Sequence, residues 1–404
     1  MNEFSRRRFL KGMAVAAGAA AGTRVAGSGW SRDARADGLN GEKSVVVCIF
    51  LLGGYNSLFP SAGSFVGNGK FGVNAGNVAD LGNGLIVDKG TLGSLPAFAK
   101  SHMASIGVRH GISDHGQANT ADWSNGTRSY PLMLAAALGG EASIKAAAVG
   151  EKPQAPLPAE AGVSMQQILD MSSTIQTLQG GDPKAPKRDL AAKGLMTANT
   201  LSGNRFKASP DKLVDMKDGY GSAIATLQKP IPPFDFSTLP GIYGSGTTVN
   251  QGSADFKARM AAAELMVRAG SNVVTVYARN DWDTHGDTNG TTVRNMFGAN
   301  VFPALNMFLD RTLVSTDLAT SHNVVTMIFG DFARSLPGSD HQPNVTATVM
   351  GKYVKGGTTG MTDGNVGLAA GTPSVPGLWS YLAAVAKTPG ANPFGANPHN
   401  LVLP

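Results

Sequence analysis

The residues best suited to chemistry stand at the ends of two apolar runs. The first run, Asn272-Val273-Val274-Thr275-Val276-Tyr277, leads to Trp282-Asp283-Thr284-His285-Gly286. Residues i and i+2 of an extended chain point the same way, so Asp283 and His285 can converge on one cation or one substrate oxygen. The second run, Asn323-Val324-Val325-Thr326-Met327-Ile328-Phe329, leads to Gly330-Asp331-Phe332-Ala333-Arg334 and then to Ser339-Asp340-His341. A third polar stretch, 108–120, carries His110, Ser113, Asp114, His115 and Thr120. Asp with His suits zinc, manganese or iron, and Asp with water suits magnesium or calcium. A single Asp-x-His pair is more often a turn hydrogen-bond network. Two pairs after two apolar runs, with a third His/Asp loop, make a metal set of Asp283, His285, Asp331, Asp340, His341 and His115 worth expecting.

Other side chains near these positions offer further chemistry. Arg334, three residues past Asp331, can clamp a phosphate, sulfate or carboxylate bidentately, or form a structural ion pair with Asp331. Ser113, Thr120 and Ser335 are hydroxyls that could attack beside a cation, although most loop serines only form turns. The segment Lys352-Tyr353-Val354-Lys355-Gly356-Gly357 reads as a solvated hairpin that could also meet an anion.

The elements that must hold these groups alternate between strand and helix. The run 43–52 is continuously apolar, as suits a central parallel strand covered on both faces, and it breaks at Gly53-Gly54-Tyr55-Asn56-Ser57. Helical patterns are expected at 95–103 and 130–138, and short strands at 84–87 and 144–149. A strong helix over 253–269, capped by Ser253 and ended by Gly270, feeds the strand at 272–277. A helix over 291–310 leads to the strand at 323–329, and another follows at 378–385. This alternation indicates an α/β fold with a doubly wound, mostly parallel sheet and helices on both faces. Such sheets bind ligands beyond the carboxyl ends of their strands. The stretch 180–239, rich in Lys, Asp, Pro, Ser and Gly, reads as a peripheral helical insertion or cap.

The N-terminus reads as an address. Ser5-Arg6-Arg7-Arg8-Phe9-Leu10-Lys11 fits a twin-arginine export motif, a short Ala/Gly-rich apolar segment follows, and Ala34-Arg35-Ala36 offers a cleavage site. Residues 1–36 are therefore expected to be a signal peptide and 37–404 one large α/β domain. The expected destination is the periplasm or the outside of the cell, with the twin-arginine translocase as a transient partner. No stretch suffices for a stable membrane span. The signal segment holds seven basic and two acidic residues, so of the whole chain's net +6 only about +1 belongs to the remainder. The basic balance thus gives no argument for nucleic acid. Cys48 is the single cysteine, which excludes an intrachain disulfide and a multi-thiolate metal site.

Taken in order, these landmarks resemble the exported bacterial family called domain of unknown function 1501. The resemblance rests on the twin-arginine start, Leu52-Gly53-Gly54-Tyr55-Asn56-Ser57-Leu58, the 113–117 loop and the 263–270 segment leading into Trp282-Asp283-Thr284-His285. It rests further on Gly330-Asp331-Phe332-Ala333-Arg334-Ser335, Asp340-His341 and Lys355-Gly356-Gly357. It implies an alkaline phosphatase-like fold, related to sulfatases and phosphomutases, with a one- or two-metal site at the carboxyl edge of the sheet. Several positions depart from the family pattern. Asn56 stands where Asp is usual, Phe59 where Asn is usual, and Asp331, Ala333 and Leu336 replace Glu, Gly and Pro.

On this basis the expected function is an exported metal-dependent hydrolase of phosphate or sulfate esters, with a small-molecule or glycan ester as substrate. The expected cofactor is a divalent zinc, manganese, calcium or magnesium. Asp283, His285, Asp340 and His341 would bind it, with Asn56, Asp331 and His115 as further contacts, Arg334 holding the anionic group, and Ser113 or Thr120 as nucleophile. The alternative is an exported protein that has lost the chemistry and serves in binding or in assembly of an envelope or surface component. An oxidoreductase is less supported, because the chain has no Rossmann glycine fingerprint, haem motif or cysteine cluster.

Overall fold

The computed structural model describes residues 42–140, 142–178, 188–205, 234–250, 255–278, 282–335, 338–359 and 372–404. These fall into two compact units, one running Arg32–Ser172 and Phe236–Pro404 and the other containing Ser173–Asp235. Within the second unit an 18-residue helix spans Arg188–Arg205. The expected signal peptide over 1–36 lies outside the described residues, as does Ser253. Among the described residues no helix is long and apolar enough to cross a membrane.

The larger unit is mixed α/β, built on an eight-stranded sheet. Its strands are β1 (Lys43–Leu51), β2 (Met103–Arg109), β3 (Ala146–Val149), β4 (Met165–Ile168), β5 (Val273–Ala278), β6 (His322–Gly330), β7 (Asn344–Met350) and β8 (Gly357–Thr359). They lie side by side in the order β8-β2-β7-β6-β1-β5-β3-β4. Strand β7 runs antiparallel to both β2 and β6, and the remaining pairings are parallel. The carboxyl ends of β1, β2, β5 and β6 therefore share one edge.

The apolar runs became central strands because both sheet faces are covered. Val46, Cys48 and Phe50 of β1 pack in one core with residues of the helices α1 (His115–Trp123), α2 (Tyr130–Leu138) and α4 (Val375–Val385). The alternate residues Val45, Val47, Ile49 and Leu51 are equally buried on the other face, the side on which α3 (Phe256–Arg268) packs against β5. Cys48 is fully buried and free, and burial pushes its thiol up.

Several local expectations change in detail. Helix α3 is capped by Asp255, whose carboxylate accepts from the Lys257 and Ala258 amides. An Asp directly before the first helical residue satisfies orphan N–H groups as a Ser would. Of the 95–103 helix only Ala97–Ser101 is helical, because Met103 already belongs to β2. The helix from 291 runs on to 315 through two π-type turns, Phe297–Val301 and Arg311–Ser315.

Candidate metal centre

The carboxyl edge is finished by tight turns and a small ribbon. After β1 the chain turns at Gly53 and Gly54, with φ +114° and +126°. Only glycine fits here. A Cβ on Gly53 would stand 2.5 Å from the Asp283 backbone nitrogen, and one on Gly54 would stand 2.7 Å from Arg334 Nε. Beyond the turn, Tyr55–Asn56 pairs with Ala333–Ser335, which pairs antiparallel with Asp340–Gln342. This ribbon sets Arg334 opposite both Asn56 and His341.

Four side chains converge here. His115 opens α1, Asp283 and His285 follow β5 in sequence, and His341 sits on the ribbon. Ligand atoms of His115, Asp283 and His341 all lie within 4.8 Å of one another and form a group able to hold a metal ion. His285 Nε2 lies 3.2 Å from Asp283 Oδ1 and 3.0 Å from His341 Nε2. The Nε2 atoms of His115 and His341 are 3.6 and 3.7 Å from the Asp283 carboxylate. Nitrogen ligands about 2.0–2.1 Å from a tetrahedral ion stand about 3.3 Å apart, so these spacings fit donors around one cation.

The outer contacts explain why the rings face inward. His115 Nδ1 is bonded to Asp331 Oδ2. His285 Nδ1 lies 3.1 Å from Asp340 Oδ1, and His341 Nδ1 lies 2.8 Å from the Ser113 carbonyl. A carbonyl or a carboxylate accepts, so each Nδ1 donates and each ring turns its Nε2 toward Asp283. Two lone pairs 3.0 Å apart repel unless a proton or a cation stands between them. Such an outer acceptor on a ligating imidazole fixes its tautomer and raises its basicity. Phe332, fully buried, backs the His341 ring at 4.0 Å and the His115 ring at 4.7 Å.

Two of the expected ligands, Asp331 and Asp340, stand behind the rings that face Asp283. Asp331 is fully buried, accepts from the Gly53 amide at 3.2 Å through its other oxygen, and orients His115. Burial pushes its carboxyl up, against the pull of His115. Asp340 orients His285. His110 holds the Asp331 backbone: its Nδ1 accepts from the Ile112 amide at 2.9 Å, so its Nε2 donates to the Asp331 carbonyl at 3.0 Å. Burial pushes the His110 ring pKa down.

The roles expected for Arg334, Asn56 and Thr120 do not match their positions. Arg334 is fully buried. Its guanidinium bonds Asp283 Oδ1, the Gly53 carbonyl at 2.5 Å and the Ser339 carbonyl at 2.7 Å. It is a clamp on Asp283, with its fork turned inward rather than toward an anion. Asn56 donates to Ser339 Oγ at 3.1 Å and accepts from the Leu58 amide at 2.9 Å, so both ends of its amide are engaged in the fold. The Thr120 hydroxyl lies 2.9 Å from the Gly116 carbonyl and 3.0 Å from that of Gln154, bonded back into its own helix and the neighbouring loop. Ser113 remains beside the centre, through its carbonyl on His341.

Sequence reading missed Gly53, Thr284, Phe332 and Ser339 as parts of this site. Ser339 is buried with a positive φ of 59° and bridges Asn56 to Thr284, whose hydroxyl is 2.9 Å away. The Gly53-Gly54 pair at a strand end was the one signal that could have flagged a close backbone approach.

A search of curated proteins finds no match. Among solved structures the chain resembles one described as "Crystal structure of Ps i-CgsB in complex with k-i-k-neocarrahexaose". The likeness has 11% identity over 88% of this chain and 75% of that one, with a TM-score of 0.35, too slight to inform fold or function. Residues 235–375, the segment that carries Asp283, His285, Asp331, Arg334, Asp340 and His341, match the model of the family described as "Protein of unknown function (DUF1501)", and over that segment the match supports the family read from the motifs.

Proposed function

We propose that this chain is a metal-dependent hydrolase of phosphate or sulfate esters, of alkaline phosphatase-like fold and exported by the twin-arginine route. The observation that carries the reading is the convergence of three Nε2 atoms on Asp283, with every Nδ1 held by an oxygen acceptor. Two imidazole nitrogens 3.0 Å apart need a proton or a cation between them, and a divalent ion would meet that need for His285 and His341 together.

The donor set also narrows the metal. Imidazoles with one carboxylate suit zinc, manganese or iron, while calcium and magnesium take shells of oxygen. Zinc, manganese or iron therefore fits better than calcium or magnesium. A bound divalent ion would supply Lewis acidity toward an ester oxygen and make water acidic enough to attack. The chain's own residues do the rest. Arg334 fixes Asp283, Asp331 and Asp340 fix their histidines, and Phe332 stacks behind two of the rings. Asp283 and His285 keep 38% and 50% of their side-chain surface exposed, which leaves an approach for substrate. Among the described residues no base is bonded to the Ser113 hydroxyl, so we assign the attack to water.

The test is metal content of the protein purified without chelator, beside a His115→Ala/His341→Ala variant, followed by turnover of 4-nitrophenyl phosphate and 4-nitrophenyl sulfate. Zinc or manganese near one equivalent, lost in the variant together with turnover, supports the reading. Absence of metal after incubation with excess zinc and manganese overturns it. A second reading, a protein that binds at this centre without turnover, is favoured by the inward fork of Arg334, and it predicts bound metal with no hydrolysis of either ester.

A further inference from the structure

A cleft of about 580 Å³ begins one residue from the His115 ligand, in the size range of small-molecule sites. Its walls come from Arg109 and His110 at the end of β2, from Gly116, Gln117, Thr120 and Ala121 of α1, from the Ser124–Gly126 turn, from Tyr130, and from Ser374, Val375 and Pro376 at the start of α4. His110 is also the residue that holds the Asp331 backbone, so cleft and centre share a wall.

The lining has a definite chemistry. It contains one cationic side chain, the exposed Arg109, and no carboxylate. Three neutral polar groups have donors or acceptors left for a ligand. Among the described residues the Gln117 side-chain amide and the Tyr130 hydroxyl make no hydrogen bond. The Asn125 carbonyl oxygen accepts from Thr127 and Arg128, which leaves its NH2 group. Tyr130 is only 4% exposed, so its unpartnered hydroxyl is held in place by packing rather than free in solvent. Between these groups lie the apolar surfaces of Ala121, Val375, Pro376 and the Tyr130 ring. Amides, a phenol and one guanidinium around apolar faces suit a ring that carries hydroxyls, with or without an anionic substituent, at its edge and C–H bonds on its face. A flat aromatic ring would leave the polar groups unpaired, and an ammonium ligand would find no carboxylate.

We propose that this cleft is a leaving-group subsite of the metal centre and binds a sugar ring through Gln117, Asn125 and Tyr130. The word leaving-group rests on the hydrolase reading above; the binding of a sugar does not.

The experiment uses the full chain and four probes: methyl α-glucoside, methyl β-galactoside and the 6-phosphate of each. Binding is measured by saturation-transfer NMR for wild type, for Gln117→Ala/Asn125→Ala and for Tyr130→Phe, with melting curves to show that the variants fold. The expected result is ring-proton saturation in wild type for at least one probe, about tenfold weaker binding in the double variant and a few-fold loss in Tyr130→Phe, the size of lost neutral hydrogen bonds. On a hydrolysed sugar phosphate the double variant should raise KM about tenfold with kcat held. Failure of wild type to bind all four probes overturns the proposal, and so does binding that the variants leave unchanged. Binding lost in the variants without turnover of any ester keeps the sugar subsite and removes the hydrolase.

Discussion

Replacing Arg334 by Met tests the difference between a clamp on Asp283 and a clamp on substrate. Met keeps much of the buried stem and removes the guanidinium. Two carbonyls, those of Gly53 and Ser339, then lose their partner in a site with no water access, since Gly53 and Ser339 are both buried. Each orphaned acceptor costs about 1–3 kcal/mol. Asp283 keeps 38% of its side-chain surface exposed and can rehydrate, so its share is small. A loss of about 3 kcal/mol is expected, a melting temperature lower by about 4–5 °C. The second effect is on metal. With Oδ1 no longer fixed, affinity should fall about 10–100-fold, as for other groups that orient a ligand from behind. Melting curves with and without zinc, and competition with a chromophoric chelator, read both numbers. Arg334→Lys keeps the charge but cannot span three acceptors, so it should lose nearly as much. Metal affinity at the wild-type level in Arg334→Met, with only KM for an ester raised, would refute the clamp and restore the anion-binding role.

Four further outcomes follow from the same geometry. Asp331→Asn should weaken zinc binding about 10–100-fold, and an unchanged chelator titration would show that His115 needs no acceptor behind it. Thr120→Val should leave kcat/KM at the wild-type value and cost about 1 kcal/mol; loss of turnover with normal folding would reinstate Thr120 as nucleophile. Ser113→Ala should likewise leave turnover intact, and its abolition would move the attack from water to serine. Asp122 is fully buried, neither carboxylate oxygen has a partner, and burial pushes its carboxyl well above the usual range. The folded state therefore holds this proton more tightly than the unfolded state. Stability from this group is complete below about pH 3.8 and is lost as pH rises toward the folded pKa. Urea unfolding across pH 4–7 should show wild type losing ground to Asp122→Asn, and parallel curves would contradict the assignment.

The central strands were legible because burial on both faces writes an unbroken apolar run. β1, β5 and β6 stand adjacent in the sheet as the runs 43–52, 272–277 and 323–329 suggested. β2 and β7 were not legible, although both are as buried. Ser105, Thr346 and Thr348 interrupt them and yet are fully buried, with the Thr348 hydroxyl bonded to Tyr55 at 2.7 Å. A polar residue inside a sheet reads in sequence as an exposed one. At the site, the i, i+2 rule placed Asp283 and His285 on one point. It could not separate donors to a metal from the groups behind them. That choice depends on which ring nitrogen meets which oxygen, and the two partners of one contact can lie as far apart as His115 and Asp331. Arg334 was read from its chemistry alone, and only the positions of Gly53 and Ser339 show that its fork points inward.

The double-glycine turn has a consequence for how the molecule is made. Gly53 receives Arg334 from 281 positions away and Asp331 from 278 positions away, and it lies under the Asp283 backbone. No local segment can therefore preform the centre. During synthesis the first strand must wait until almost the whole chain has emerged, and a truncation before residue 341 leaves a set of separated side chains rather than a weaker site. Contacts this remote in sequence carry a large loop-closure cost before they return any stabilisation. On the metal-dependent reading proposed above, capture of the ion would act as a checkpoint on completion of the fold. Ion release on heating should coincide with loss of the sheet, in a single cooperative event, instead of preceding it.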